Sequence, residues 1–290
     1  MSMQRLRLSI LLLMVAWVSL PAGETCVGDR LSGRQYSVNL VPRQPPTELY
    51  RIWSPLLERI GIEHGLCFDI RIFEDFQKFE NAMHAGETDF IFLNPYHQVM
   101  VHETPGYLPL IRDEESRLAG ILVVAAESTI TSIYQLEGKT IAFPAPNAYV
   151  ASLLIRSMLA NKGIDIEPKY IASHSNVLRS VALRVADAGG AANNTLEYQP
   201  DSLKSRLHIL YQSPFYMPHP FSAHPRVAEN DQEKVIKGFI ALTKDSEGRK
   251  MLSEVQMTRP VRANYDRDYK ELEQLELEHF IEAPSDANTP

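Results

Sequence analysis

The sequence has little positive charge: its 29 lysines and arginines stand against 36 aspartates and glutamates, which gives a formal net charge of −7. A surface with an excess of acid repels the phosphate backbone of nucleic acids, so non-specific electrostatic attraction cannot hold them. This charge balance argues against nucleic acid as a partner.

Long apolar runs are also lacking beyond residue 22, where none reaches the roughly 18 residues of a membrane-spanning helix. The motifs of common enzymes are missing, among them His-Glu-x-x-His, Gly-x-Ser-x-Gly and a glycine-rich phosphate loop. The nine histidines are scattered, and the two cysteines have no His-Cys cluster beside them, so no metal site is predicted. We therefore expect no catalytic residue and no cofactor, and a protein that is not an enzyme.

The first 22 residues have the order of a secretory signal peptide. Arg5 and Arg7 give a positive start, residues 9–20 are almost entirely apolar, and small or neutral residues follow up to Ala22. The alternative is an uncleaved membrane anchor, for which the apolar run is short. We predict that residues 1–22 are a signal peptide and that the mature chain is exported.

Cysteine is scarce, with Cys26 and Cys67 as the only two, 41 positions apart. Disulfides persist in the compartments that receive exported proteins. We predict a single disulfide that ties the mature N-terminus to an early strand, with two free thiols as the alternative.

Up to residue 93 the hydrophobic pattern alternates between strand and helix. Apolar alternation or short apolar runs predict strands at 35–41, 67–73 and 89–93. Helical spacing predicts one helix capped by Thr47 and kinked or delayed by Pro55, and another capped by Asp75 and ended before Gly86. This order with short links is typical of a wound α/β sheet.

The pattern begins again at residue 118. Further strands are predicted at 118–126, 140–143, 186–190 and 207–211, and further helices at 148–161, 176–185, 232–243 and 246–255. We predict two α/β lobes, the first made of 34–117 plus 215–282 and the second of 118–214. A loose tail is expected at 283–290.

Three loops, at 43–47, 94–97 and 146–149, follow predicted strands and open helices. Ligands of wound sheets bind outside the carboxyl ends of the strands, where a helix N-terminus offers free amides and partial positive charge. Arg43 adds a guanidinium that can hold an oxyanion with two hydrogen bonds. The alternative is that these are ordinary helix starts and that Arg43 is a surface residue. We predict a site for a small oxyanion.

Two segments resemble periplasmic solute-binding proteins: STITSIYQLEGKTIAF at 128–143 is similar to the start of their second lobe, and AGETDF at 85–90 to the step before their third strand. Four shorter motifs resemble the phosphonate, phosphite and phosphate branch that serves ABC transporters: NPY at 94–96, FPAPN at 143–147, SHS at 173–175 and ADAGG at 186–190. The motifs are collinear with the family from about residue 36 to about residue 269.

The resemblance implies an α/β fold of the type II periplasmic binding protein kind. In that fold each lobe is a wound sheet flanked by helices, two crossover segments join the lobes, and the lobes close on a ligand without chemistry. Besides Arg43, the residues placed at the ligand are Tyr96, Asn147, Ala148, Tyr149, His174, Asp187 and Asn193 or its neighbour Asn194. The implied partners are a small phosphonate-like or phosphate-like anion and an ABC permease, in the periplasm.

One position departs from the family. Phosphonate binders resemble one another in a Ser-Thr-Ser run after the equivalent of Asn147, whereas this chain has Ala148, Tyr149 and Val150. Backbone donors remain here, but the hydroxyls that grip phosphonate oxygens are absent. As an alternative, Tyr149 and Tyr96 frame a planar or cationic ligand.

Two other functions fit the same scaffold. The first is a periplasmic sensor that signals its liganded state to a membrane histidine kinase. The second is a secreted enzyme, for which His174 and Asp187 are the reactive groups available in the expected cleft.

Overall fold

Two β-sheets flanked by helices form the structure, a computed structural model that describes residues 26–31, 33–171 and 173–282. The predicted signal peptide at 1–22 and the predicted tail at 283–290 lie outside the described residues. Within them, no helix is both long and apolar enough to cross a membrane.

The first sheet has seven strands and takes them from both ends of the described chain. They are β1 (Val27–Gly28), β2 (Arg34–Leu40), β3 (Leu66–Ile72), β4 (Phe90–Phe92), β5 (Leu108–Asp113), β11 (Phe221–Ala223) and β12 (Pro260–Arg262). Their order in the sheet is β1-β3-β2-β4-β11-β5-β12. β2 runs parallel to β3 and β4, whereas β11 and β12 are antiparallel to their neighbours.

The second sheet has five strands, all from the middle of the chain. They are β6 (Gly120–Ala125), β7 (Thr140–Phe143), β8 (Glu167–Tyr170), β9 (Ala188–Ala192) and β10 (Leu207–Gln212). Their order is β10-β6-β9-β7-β8, with β7 parallel to β8 and β9. The predicted α/β fold with two wound sheets is confirmed.

Ten α-helices connect and cover the strands within the described residues. They are α1 (Pro46–His64), α2 (Phe76–His84), α3 (Pro95–His102), α4 (Leu154–Ala160), α5 (His174–Ala182), α6 (Asn193–Glu197), α7 (Asp201–Lys204), α8 (Glu229–Ala241), α9 (Ser246–Glu254) and α10 (Tyr265–Asp268). Short 3₁₀ turns at 270–275 and 277–280 complete the C-terminal segment.

The chain passes between the sheets twice, after β5 and after β10. The two passages run side by side and pair at Leu118 and Tyr216, whose amides donate to each other's carbonyl oxygens at 2.9 and 2.8 Å. They are the two crossover segments that the resemblance implied.

Aromatic packing anchors the first sheet. Trp53 of α1 lies against Phe92 at 4.8 Å and Phe221 at 5.9 Å between ring centroids, and Phe221 stacks on Phe90 at 5.7 Å. All four side chains are buried, so α1 is held on the strands that lead to the loops after β2 and β4.

Helix α1 differs from its prediction at its start, which is neither capped by Thr47 nor delayed to Pro55. It begins at Pro46, with Pro45 as its N-cap, so that Thr47 lies inside the first turn and caps nothing. The helix then continues through Pro55 to His64. Burial of six large apolar side chains on both sides of Pro55 outweighs the roughly 3 kcal/mol cost of an internal proline.

Five strands were missed: the two-residue β1, and β5, β8, β11 and β12. β11 and β12 have three residues each, β12 begins with a proline, and β8 is largely exposed. Such segments carry no alternation long enough to be read, because their pairing is decided by neighbouring strands.

The helix predicted at 148–161 is divided into a π-turn at Tyr149–Leu153 and α4. The backbone of the π-turn lies directly on β6 and β9, where Gly120 and Gly190 leave room. A Cβ at Gly120 would meet the carbonyl oxygen of Val150 at 2.3 Å, and one at Gly190 would meet that of Ala151 at 2.1 Å. These two glycines set the position of the π-turn.

The structure joins Cys26 to Cys67 as a disulfide, with the two Cα atoms 5.6 Å apart. Cys67 lies in β3, and Cys26 immediately precedes β1, the edge strand that pairs with β3. The bond therefore ties the first described residue to the first sheet.

The disulfide gives a first prediction. Closing a loop of this length removes unfolded-state entropy worth about 3–4 kcal/mol. Urea denaturation with a thiol reductant should therefore give a free energy of unfolding lower by about that amount than without it. The double variant Cys26→Ser/Cys67→Ser should be insensitive to the reductant; an equal response of both proteins would contradict the bond.

Gly190→Ala tests the packing of the π-turn. The added methyl group meets backbone, which cannot rotate away, so we expect a loss of about 1–3 kcal/mol in the free energy of unfolding, measured in urea. Gly163→Asn is the control, because no atom lies within 4 Å and asparagine tolerates its positive φ of 69°. Equal losses in the two variants would contradict the close approach.

Candidate functional site

A cavity of about 150 Å³ lies where the loops after β2, β4, β7 and β9 converge. It is called the inner cavity here. Its polar lining residues are Arg43, Gln44, Asn94, Tyr149, His174, Ser175, Asn194, Thr195, Tyr198, Gln199, His219 and Gln256. The site therefore lies at the carboxyl ends of parallel strands from both sheets, where ligands of wound sheets bind.

Arg43 is the main positive charge of the inner cavity. A short turn after β2 holds it, in which its amide donates to the Val41 carbonyl oxygen at 2.8 Å. Its guanidinium lies over the Phe92 ring at 5.2 Å, and its buried Nε has no hydrogen-bond partner. Burial lowers the pKa of Arg43 to about 10, and no carboxylate among the described residues pairs with it. The group is a half-buried cation that lacks a carboxylate partner among the described residues.

Two histidines lie beside Arg43. Burial, together with the Arg43 charge, lowers the pKa of His174 to about 4, and its Nδ1 has no partner. Burial, and after it the charge of Arg43, also lowers the pKa of His219 well below its usual value. His219 stacks on Phe92, with ring centroids 5.5 Å apart. At neutral pH both imidazoles are therefore neutral groups around one fixed cation.

Asn94 contributes an amide donor from the end of β4. Its Oδ1 accepts from the amide of His97 at 2.7 Å and so caps α3, which orients the side chain. Its Nδ2 is buried without a hydrogen-bond partner. The side chain is 3% exposed, so this donor is fixed in place rather than free to reach solvent.

Backbone amides complete the donors of the second sheet. The first amides of the π-turn that donate to a carbonyl are those of Ser152 and Leu153, both to Ala148, at 2.8 and 3.2 Å. The amides of Tyr149, Val150 and Ala151 precede them and, within the described residues, donate to no backbone oxygen. All three residues line the inner cavity, so free amides and the positive end of the turn are present there.

Tyr96 does not line the inner cavity, contrary to the prediction. It is fully buried and stacks on Tyr149 with ring centroids 5.9 Å apart. Its hydroxyl donates to Glu278 at 2.6 Å and accepts from the Leu277 amide at 3.1 Å. The two tyrosines thus occupy each other's faces and do not frame a ligand between them.

Asn147 is also directed away from the inner cavity. Its Nδ2 donates to Glu80 of α2 at 2.9 Å and to the Glu282 carbonyl at 3.1 Å, and its Oδ1 accepts from the Glu282 amide at 3.0 Å. Glu80 in turn bonds His97 at 2.9 Å. Asn147 therefore joins the loop after β7 to α2 and to the C-terminal segment, whereas its neighbour Ala148 lines the inner cavity.

Asp187 lies at the amino-terminal ends of the parallel strands of the second sheet, away from the inner cavity. It precedes β9, and its carboxylate accepts from the amide of Thr140, the first residue of the parallel strand β7, at 3.1 Å. The site is at the other end of these strands. The motif predicted the strand correctly, but a residue before a parallel strand cannot reach its carboxyl end.

Asn193 and Asn194 follow β9 and have different roles. Asn193 accepts from the Ala119 amide at 2.9 Å and borders a second cavity of about 310 Å³. Asn194 borders both cavities and donates to Gln256 at 3.3 Å. The second cavity, called the outer cavity here, also shares Arg43 and His219 with the inner one.

Eight polar lining residues were not predicted as individual side chains: Gln44, Asn94, Ser175, Thr195, Tyr198, Gln199, His219 and Gln256. Gln44 and Asn94 lie in loops that the strand ends had marked. His219 stands between two prolines in the second crossover, which was the one available signal. Gln256 follows α9 far along the chain, and no local pattern indicated it.

The charges of the side chains that line the inner cavity indicate which kind of ligand it can bind. Among the described residues, no aspartate or glutamate lines the inner cavity, and no group of three or more potential metal ligands forms. The site offers a cation, amide donors and neutral imidazoles, which is the chemistry of anion binding rather than metal binding.

A family profile, described as the periplasmic substrate-binding protein of phosphonate ABC transporters, matches residues 38–269. Among curated proteins, no sequence matches the chain.

Solved structures with a similar fold include three from bacteria. A binding-protein component of a phosphonate ABC transporter from Pseudomonas aeruginosa has a TM-score of 0.74 and 15% identity, over 84% of this chain and 86% of its own. A Prochlorococcus marinus protein in complex with methylphosphonate has a TM-score of 0.70 and 16% identity, over 83% of this chain and 97% of its own. A Xanthomonas citri protein bound to ATP has a TM-score of 0.67 and 16% identity, over 86% of this chain and 98% of its own.

The profile covers most of the chain, and these similar structures share its two-sheet architecture. The chain therefore belongs to the family of periplasmic substrate-binding proteins of phosphonate ABC transporters.

Proposed function

We propose that the inner cavity binds a phosphonate or a closely related small oxyanion and that the two lobes close over it for delivery to an ABC permease. The observation that carries this proposal is Arg43, a half-buried guanidinium without a carboxylate partner in a cavity lined by further donors. The Prochlorococcus marinus relative bound to methylphosphonate supports the choice of anion.

The charge of Arg43 makes an anion the favoured ligand. A partly desolvated charge without a partner is unfavourable, and an oxyanion that accepts two hydrogen bonds from the guanidinium offsets that cost. The Asn94 Nδ2 and the free amides of Tyr149, Val150 and Ala151 supply further donors to the remaining oxygens. The backbone thus replaces the hydroxyls of the family's Ser-Thr-Ser run.

Lobe closure is supported by the contacts beside the cavity. We propose that 34–117 with 215–282 and 118–214 move as two bodies about the paired crossovers at Leu118 and Tyr216. The Tyr96–Tyr149 stack joins the two bodies on one side of the cavity. Because a ligand held by both bodies favours the closed arrangement, capture and closure are one equilibrium.

The ligand is released unchanged in this proposal. The family is one of substrate-binding transport proteins, and the Nδ1 of His174 has no carboxylate or hydroxyl partner that would make it part of a catalytic pair. Asp187, the second reactive group considered for an enzyme, lies at the opposite ends of the strands from the inner cavity. No observation favours a sensor kinase as partner.

We place the protein in the periplasm, with residues 1–22 as its signal peptide. The family is periplasmic, and the disulfide between Cys26 and Cys67 fits an oxidising compartment.

Calorimetry and thermal denaturation of residues 23–290 test the proposal. Methylphosphonate or phosphite should raise the melting temperature, by the equivalent of about 2.7 kcal/mol at 100 times the dissociation constant. Arg43→Met should weaken binding about a hundredfold or more, because two charge-assisted hydrogen bonds are lost. Arg179→Met is the control, since this exposed arginine of α5 carries the same charge outside the cavity. Unchanged affinity in Arg43→Met would refute the site.

The pH dependence of stability tests the surroundings of Arg43. The pKa of His174 is about 4 in the folded protein, against about 6.5 for an unfolded chain. Below about pH 6.5 the unfolded chain gains a proton that the folded protein does not take up until about pH 4, so stability falls as the pH falls. His174→Asn should reduce this loss between about pH 7 and pH 4.5 in chemical denaturation. His208→Asn, at an exposed histidine, should retain the original slope; identical slopes in all three proteins would count against the buried imidazole.

A further inference from the structure

The last described residues connect the two lobes. Residues 277–282 are called the latch segment here. The segment begins on the first lobe, where the hydroxyl of Tyr96 in α3 accepts from the Leu277 amide at 3.1 Å and donates to the Glu278 carboxylate at 2.6 Å. Just upstream, an ion pair joins α10 to β5 of the first sheet. The start of the latch segment is therefore fixed to the first lobe.

The end of the latch segment lies on the second lobe. The Glu282 carboxylate accepts from Arg156 of α4 at 3.1 Å and from the hydroxyl of Tyr170 in β8. The Phe280 carbonyl oxygen accepts from Arg156 at 2.6 Å. The backbone of Glu282 exchanges two hydrogen bonds with the side chain of Asn147, at 3.0 and 3.1 Å. One short segment thus joins the first lobe to the loop after β7, to α4 and to β8.

Arg156 connects these contacts to the anion donors of the inner cavity. Besides the latch segment, its guanidinium donates to the Pro146 carbonyl oxygen at 3.0 Å and to the Ser152 hydroxyl at 3.3 Å. Pro146 and Ser152 stand on either side of residues 149–151, whose free amides belong to the cavity lining. The arginine side chain is only 13% exposed, so these bonds fix its position. Through Arg156, the start of the π-turn is held in place relative to the first lobe.

The bonds between the latch segment and the second lobe are of a kind that can break and form again. The second-lobe groups in these bonds are side chains, so water can replace them without disrupting the backbone pairing of either sheet. The Glu282 side chain is 44% exposed, and a partly exposed ion pair is weak by itself. A set of such contacts can bias an equilibrium between two lobe arrangements without locking it.

Resting on the proposed lobe closure, we infer that the latch segment stabilises the arrangement in which both lobes line the inner cavity, and that Arg156 is a positioning residue of the anion site. Closure brings Glu282 onto Arg156, and Arg156 holds the π-turn so that its amides face the same anion as Arg43. Since the apparent affinity scales with the fraction of protein that is competent to bind, the latch raises affinity without touching the ligand.

Two variants of residues 23–290 test this inference by small-angle X-ray scattering and calorimetry. Glu282→Ala removes the carboxylate but leaves the bonds of Arg156 to Pro146 and Ser152, whereas Arg156→Met removes all of them. Without ligand, both variants should have a larger radius of gyration than the unaltered chain. Both should bind methylphosphonate about tenfold more weakly, and saturating methylphosphonate should restore the smaller radius.

A double variant tests whether the two residues act through one contact. Glu282→Ala combined with Arg156→Met should bind methylphosphonate no more weakly than Arg156→Met alone, because the second change removes a bond that is already lost. Fully additive losses of affinity would contradict a shared latch.

Arg59→Met is the matched control. Arg59 of α1 pairs with Asp245 at 3.0 Å inside the first lobe, and its side chain is 27% exposed. Its replacement should lower the free energy of unfolding in urea but change neither the radius of gyration nor the affinity for methylphosphonate. An equal increase of the radius in this variant would mean a general loosening of the fold and would contradict the latch.

The remaining outcomes separate the inference from the function on which it rests. An unchanged radius of gyration in both latch variants overturns the inference, and a larger radius with unchanged affinity overturns the link to the anion site. If neither methylphosphonate nor phosphite binds the unaltered chain, the proposed function fails. The radii measured without ligand still decide in that case whether the latch segment holds the lobes together.

Discussion

A half-buried guanidinium without a carboxylate partner is the constraint on which the site depends. Arg43 has a depressed pKa because protein surrounds it, yet it keeps its charge at any physiological pH. The neutral histidines beside it cannot supply a counter-charge, and the acidic surplus of the chain lies elsewhere. A protein with a net negative charge thus binds an anion through the local charge of Arg43 and fixed hydrogen-bond donors, and not through the electrostatic field of the whole molecule.

The surrounding structure keeps the donors in place. Gly120 and Gly190 let the π-turn rest on the second sheet, so that the amides of Tyr149 to Ala151 stay free at its start. Asn94 is oriented by the helix that it caps. Because these donors need no rearrangement to meet a ligand, little conformational entropy is lost at binding, and the loss that remains falls on lobe closure.

The site was predictable by segment more than by side chain. The rule that ligands collect at the ends of parallel strands marked the loops of Arg43, Ala148 and Tyr149, which line the inner cavity, whereas His174 was marked only by the family resemblance. It failed for Asn147, which lies one residue before Ala148 and faces the opposite way. Side-chain direction at a strand end depends on how the following turn is rotated, and a sequence pattern does not contain that angle.

Local pattern alone determined the α/β class, most of the helices and the presence of a donor-rich loop after each parallel strand, because hydrophobic period and turn residues act over a few positions. Only the tertiary structure decided that His219 and Gln256 join this site, since the returning crossover and the end of α9 reach it across a long stretch of chain. It also decided that Tyr96 supports Tyr149 instead of meeting a ligand. Which groups face one another across a closed cleft follows from how two lobes pack, and packing is a property of the whole chain.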